Sequence, residues 1–381
     1  MSRRLTLAIA AVSLACGGGD RSTRARLSLV ETLAGADTAG YARAMAPRPF
    51  EFPEDHGPHP DFRTEWWYVT GNLAASDGRE LGFQFTLFRS ALAPTAPETE
   101  SAWGTNQAYM AHFTVTDVAS GEFYAYERFA RGAAGLAGAT SEPLRVWLDG
   151  WELTSTPAGT FPWSLVARED SVSLRLELDA GKPVVLQGEE GLSQKGAERG
   201  NASYYYAHTR MPAAGNVVVG ADTIDVSGYA WLDREWSTSA LGEGQVGWDW
   251  FALQLDDGWD VMVYRLRRED GSADPYSDGV LIDPRGGRVP LEWGTDVSLE
   301  VTSTWTSRLD GARYPGGWRL RVPSRGWDLV VEPKVADQEL DLAFRYWEGA
   351  VGVSGVGEGG RSVSGSGYVE LTGYAGELPT R

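Results

Sequence analysis

The sequence predicts an all-β protein. Three observations carry that expectation: apolar residues recurring at every second position, glycine-containing turn signals between those runs, and 47 glycines with 16 tryptophans in 381 residues. Alternation with period two is the mark of a half-buried strand, and no long segment shows the 3.6-residue period of an amphipathic helix. A content of 42 % hydrophobic and 23 % charged residues describes a folded globular chain. The balance of 34 basic against 52 acidic residues gives a formal charge of −18. That argues against nucleic-acid binding and against docking on an anionic membrane through a basic face. A single cysteine excludes a disulfide framework and a Cys-rich metal centre.

The N-terminus reads as an export signal. Arg3 and Arg4 precede an apolar or small stretch over residues 5–15 that is too short to span a bilayer and ends at Cys16. Ser13-Leu14-Ala15-Cys16 resembles a bacterial lipobox, although Ser13 stands where leucine is usual. Residues 1–16 are therefore expected to be a signal peptide and Cys16 the lipidation site. The protein would then be a periplasmic or outer-membrane-associated lipoprotein, touching the membrane only through that lipid; the alternative is a plain secretory signal. Residues 17–49 show no strand pattern and read as a flexible tether.

From residue 50 onward strands follow one another. Phe83-Gln84-Phe85-Thr86-Leu87-Phe88, Leu174-Arg175-Leu176-Glu177-Leu178 and Val261-Met262-Val263-Tyr264-Arg265-Leu266 alternate cleanly. Asp77-Gly78, Asp257-Gly258, Asp270-Gly271 and Asp310-Gly311 supply turns. A faint repeat overlies them. Glu65-Trp66-Trp67-Tyr68 leads through Asp77-Gly78 to Phe88-Arg89, and Asp249-Trp250-Phe251-Ala252 leads through Asp257-Gly258 to Tyr264-Arg265. Gly228-Tyr229 near the end of the first half is echoed by Gly367-Tyr368 near the end of the second. Two related β-domains follow, 50–236 and 237–378. Closed antiparallel barrels remove sheet edges and leave room for one small ligand, so two consecutive lipocalin-like barrels are expected.

Several long motifs carry a family resemblance. They are His59-Pro60-Asp61-Phe62-Arg63-Thr64-Glu65-Trp66-Trp67-Tyr68-Val69-Thr70-Gly71-Asn72-Leu73, Gly200-Asn201-Ala202-Ser203-Tyr204-Tyr205-Tyr206, Trp231-Leu232-Asp233-Arg234-Glu235-Trp236-Ser237-Thr238 and Gly247-Trp248-Asp249-Trp250-Phe251. Together they resemble the carotenoid 1,2-hydratase (hydroxyneurosporene synthase) and AttH-like family across nearly all of residues 50–378. The resemblance implies two lipocalin-like barrels and a secreted bacterial protein linked to ABC transporter components. Its implication for chemistry is weaker, because the family spans hydratases, polyene-folding cyclases and members labelled secreted hydrolases.

The residues themselves nominate a site. In a strand, Tyr229, Trp231, Asp233 and Glu235 share one face, two aromatics followed by two carboxylates. If that face points into a barrel, burial beside Trp231 raises one carboxyl enough to donate a proton near neutral pH. Pairing of Asp233 or Glu235 with a nearby arginine is the structural alternative. Asp249 is a third catalytic candidate, but it and Glu65 occupy equivalent places in the repeats, and pairing with Arg265 and Arg89 explains both more simply. Ligand-facing candidates are Trp66 and Trp67 of the first motif, Tyr204 and Tyr206 of the second, Tyr229, Trp231 and Trp236, and Trp250. No metal is expected, since Pro58 and Pro60 hold His56 and His59 in an extended segment.

No Gly-x-Ser-x-Gly elbow occurs, and the glycine fingerprints at 242–247 and 355–360 open no helix, so neither a serine hydrolase nor a dinucleotide enzyme is indicated. Two functions remain. The first is an exported protein binding an apolar lipid or isoprenoid ligand in a Trp/Tyr-lined barrel pocket, serving a transporter. The second is a cofactor-free enzyme hydrating or cyclising an isoprenoid double bond by acid catalysis. Export favours the first.

Overall fold

The computed structural model describes residues 38–239 and 241–375; the signal, Cys16 and the first part of the tether lie outside the described residues. The alternating pattern becomes strand throughout, and helix is confined among the described residues to three 3-10 turns of three residues each. Two antiparallel sheets of thirteen and ten strands curl into a barrel and a half-barrel. The turn glycines Gly78, Gly258, Gly271 and Gly311 take φ between 80° and 90°, where a side chain would be strained.

Nine strands position the site. In the first sheet these are β1 (Thr64–Ala75), β2 (Glu80–Ala91), β3 (Gln107–Asp117), β4 (Ala202–Val219) and β5 (Asp222–Ser237). In the second they are β6 (Gln245–Leu255), β7 (Asp260–Arg268), β8 (Tyr346–Val356) and β9 (Ser362–Leu371). The order β2-β1-β5-β4 in one sheet matches β7-β6-β9-β8 in the other.

Ladder register aligns the halves. Glu65 lies opposite Arg89 and Trp236, and Asp249 lies opposite Arg265 and Leu371. The pair Trp66–Glu235 therefore corresponds to Trp250–Glu370, and Asp233 to Tyr368. The sequence echo had matched Tyr229 with Tyr368, four residues out of register. Similar Gly-Tyr dipeptides sit at different heights in the two sheets, and an even offset leaves the faces unchanged, so alternation gives no warning of the slip.

Period two sends Trp67, Val69 and Leu73 into the first core, where they meet Phe85, Phe113 and Leu165. Phe251, Trp318, Trp327 and Trp347 fill the second. Both interiors are packed with side chains. The opposite faces of β1, β5 and β6 form a third apolar cluster between the sheets, with Tyr68, Tyr205, Trp231, Trp250 and Met262 buried in it. Polar links flank this interface. Asp260 receives Lys182 at 2.7 Å and Arg210 at 2.6 Å, and Gln254 Nε2 donates to Thr209 O at 2.7 Å.

One end of the first sheet is closed by the segment around Phe50–His56. Phe50 packs edge-on to Tyr204, Tyr206 and Trp236. His56 Nδ1 and Tyr206 Oη share a hydrogen bond at 2.6 Å. Neighbouring His208 packs on Trp163 and Phe161 and has no hydrogen-bond partner on either ring nitrogen among the described residues. Burial lowers His56 and His112 to about 3 and His208 to about 4. All three are then neutral when folded at pH 5, while unfolded imidazoles titrate near 6.5. The unfolded chain takes up more protons, so stability falls as pH drops from about 6.5 towards 4. His208→Leu should flatten that fall, raising Tm at pH 5 more than at pH 7; an equal change at both values would contradict it.

Candidate active site between the two sheets

The carboxylate face of β5 does not point into the first barrel. It points out of it, across to the second sheet, because Leu232, Arg234 and Trp236 take the opposite side and the Trp67 side of β1 already fills the barrel. A cavity of about 80 Å³ lies between the sheets. Trp66 and Tyr68 of β1, Asp233 and Glu235 of β5, Trp248 and Trp250 of β6, Tyr264 of β7 and Glu370 of β9 all line it, with Lys195 from the loop before β4.

Each carboxyl oxygen of Asp233 accepts one hydrogen bond. Tyr205 Oη donates to Oδ2 at 2.6 Å, and Trp231 Nε1 donates to Oδ1 at 2.7 Å. Both donors favour the carboxylate, yet burial outweighs them and the charge of Glu235 adds to it, pushing the group up to about 8. Each oxygen has one lone pair occupied by a donor and keeps a second that can carry a proton, on a group that lines the cavity. Trp250 Nε1 donates to Tyr205 Oη at 3.3 Å and extends the chain into the second sheet.

Glu235 is held differently. Its Oε1 accepts from Ser203 Oγ and lies 3.3 Å from Lys195 Nζ. That ammonium sits 4.2 Å from the Tyr264 ring centre and 5.4 Å from that of Tyr205. Burial alone would discharge Lys195, but the Glu235 carboxylate overrides it and the lysine is raised, hence charged. On the facing sheet Trp248 Nε1 donates to Glu370 Oε2 at 3.0 Å, and burial pushes Glu370 up to about 7. Glu348 accepts from Tyr68 Oη, and burial with the nearby Glu370 drives it well above the carboxylate range. Three carboxyl groups and one ammonium thus line one aromatic-walled space, with Glu348 bonded to its Tyr68 wall. Two of the lining acids, Asp233 and Glu370, change protonation between about 7 and 8.

The remaining sequence candidates lie elsewhere. Trp67 is in the first core, and Tyr204, Tyr206 and Trp236 form the end-closing cluster on the other face. Tyr229 is 45 % exposed beyond the cavity. Trp231 stands behind the wall, buried in the interface cluster, with its indole on Asp233. Asp249 faces away from the cavity and binds Arg265 at 2.5 Å, Arg267 at 3.0 Å and Tyr374 Oη at 2.8 Å. Its place in the repeat had pointed to that ion pair.

The AttH-like family model matches residues 43–374. The chain belongs to the AttH-like family. A solved structure named for AttH from Nitrosomonas europaea is 35 % identical, covers 88 % of this chain and 100 % of its own, and superposes with TM-score 0.77. Kievitone hydratase from Nectria haematococca shares the fold at 15 % identity and TM-score 0.67, covering 87 % of this chain and 96 % of its own. CghA does so at 13 % and 0.52, over 91 % and 98 %. No curated protein matches the sequence.

In this AttH-like chain the sequence reading missed Lys195, Tyr205, Trp248, Glu348 and Glu370. Ladder register was the available signal for Glu370, since Trp250 faces it as Trp66 faces Glu235. Lys195 had none: it reaches the site from a loop, and only the folded packing brings it to Glu235.

Proposed function

We propose that the cavity between the sheets binds an apolar, unsaturated small molecule and adds water to its double bond without a cofactor. The protonated Asp233 carboxyl in an aromatic-walled cavity carries this reading. Asp233 transfers its proton to one alkene carbon, leaving positive charge on the other. The aromatic walls Trp66 and Trp250 attract that charge. Water adds through its oxygen and gives its spare proton to the Glu235 carboxylate, and the acid is restored by return of that proton to Asp233. Tyr205 and Trp231 steady the Asp233 carboxylate formed midway.

This is the reaction type of the carotenoid 1,2-hydratases that the motifs resemble, and one protein sharing the fold is named a hydratase. Both are fold-level analogies and lend support only as such. Incubation with a panel of acyclic terpenes and prenylated phenols in ¹⁸O-labelled water tests it, the expected product carrying one labelled hydroxyl. A protein that binds these molecules and returns them unchanged is the transport-linked binder instead.

Separately, from the Ser13-Leu14-Ala15-Cys16 motif, we propose that the chain is exported and held by a lipid on Cys16, a residue outside the described ones. Cys16→Ser should move the protein from the membrane to the soluble fraction. Unchanged fractionation removes the anchor.

A further inference from the structure

A second cavity lies beside the first. It is a crevice of about 590 Å³ lined mainly by polar groups, against about 80 Å³ for the inner cavity. The two are neighbours by construction. Lys195 lines the inner one and Gly196 the outer; on β7 Leu266 lines the inner and Arg268 the outer; on β6 Trp248 lines the inner and Gln245 the outer. Leu241 belongs to both surroundings: it lines the crevice and is buried in the same cluster as Tyr205, Trp250 and Leu266.

We propose that the crevice is an outer subsite for the uncharged, hydroxyl-rich head of an amphipathic ligand whose apolar end enters the carboxyl-lined cavity past Leu241. This rests on reading the inner cavity as the ligand site, and it adds the class of ligand. Ligand pockets usually measure about 300–1,000 Å³. The inner cavity falls short of that range, whereas the crevice beside it lies within it.

The chemistry of the crevice selects the head. Arg43 is paired with Glu198 at 2.9 Å and Arg268 with Asp274 at 2.9 Å, so neither guanidinium is free of a carboxylate. Glu243 is the fifth charge and leaves the lining with one acid in excess. A phosphate or carboxylate head would meet that excess, whereas a sugar-like head matches paired charges and amides that donate and accept together. Asn201 lines this wall, is buried, and leaves its Oδ1 without a hydrogen-bond partner among the described residues. Its Nδ2 donates to Leu241 O at 3.2 Å and to Ser239 Oγ at 2.5 Å. The Asn201 side chain therefore ties this wall of the crevice to the segment carrying Leu241.

Three probes sharing one tail test this: n-octyl β-glucoside, 1-octanol and octyl phosphate, each titrated below its aggregation limit and followed by tryptophan fluorescence and calorimetry. The glucoside should bind at least about tenfold more tightly than octanol, and octyl phosphate more weakly than the glucoside. Glu243→Trp fills the crevice from an exposed turn that carries no part of either core. It should erase the glucoside's advantage over octanol. Equal affinities, a preference for the phosphate, or an advantage that survives Glu243→Trp would overturn the subsite. Failure of all three probes to bind would overturn it together with the inner ligand site. The glucoside preference without hydration of any alkene would discard the reaction and keep the subsite.

Discussion

Asp233→Asn is expected to lower turnover by about 10²–10⁴-fold, the range that a positioned general acid supplies. The substitution keeps the shape of the carboxyl and removes only the transferable proton. Trp231 can still donate to the oxygen of the new amide, and the Tyr205 hydroxyl can turn to accept from its nitrogen, so ligand binding should survive. Wild-type turnover should hold steady through neutral pH and fall as pH rises through about 8, where Asp233 loses its proton. Turnover by the Asp233→Asn variant within a few-fold of wild type would take Asp233 out of the mechanism and leave Glu370 as the remaining acid near neutrality.

Stability gives an independent readout of the same group. Its folded pKa lies above the unfolded value, so burying it neutral is favourable at low pH, and that contribution is lost as pH rises from about 4 through 8. The unfolded chain sheds the proton first, which makes the wild type less stable along the way. The amide of the variant has no such proton to lose. Asp233→Asn should therefore show a smaller loss of Tm between pH 6 and 9, even while it fails to turn over.

What the sequence made legible was the side of each strand, and what it hid was the partner of each side. Alternation alone joined Asp233 to Glu235, because a strand's period is fixed by its backbone. The same alternation is silent on which face meets a barrel interior and which meets a second sheet, since both are apolar. Tyr229, Trp231, Asp233 and Glu235 read as a barrel-lining stripe for that reason. Tyr204 and Tyr206 were drawn into the ligand list by their aromatic character, although their face closes the end of the sheet. Tyr205 between them, passed over, holds Asp233. Lys195 and Glu370 needed the contact of separate segments, which no single stretch of chain encodes.

Glu65→Gln should cost about 3–5 kcal/mol of folding stability, the usual penalty for removing one partner from a buried ion pair. Glu65 is completely buried and is gripped by both Arg89 and Arg234. Burial alone would raise it, but the two guanidiniums hold it well below the usual carboxylate range. The backbone N–H of His59 donates to it at 3.0 Å, and Arg89 donates onward to Phe62 O at 2.7 Å, so the carboxylate also ties residues 59–62 to β1 and β2. Glutamine fills the space but leaves two buried cations without a counter-charge. Asp249→Asn should cost less, because one of its two arginine partners, Arg265, is partly exposed and water can take over part of its solvation, whereas both partners of Glu65 are buried. Urea unfolding at pH 7 separates the two. Neither variant should change turnover per folded molecule, since both carboxylates face away from the cavity that holds Asp233. A folded Asp249→Asn protein without activity would show that the second sheet's ion pair acts on the chemistry and would reopen Asp249 as a catalytic group.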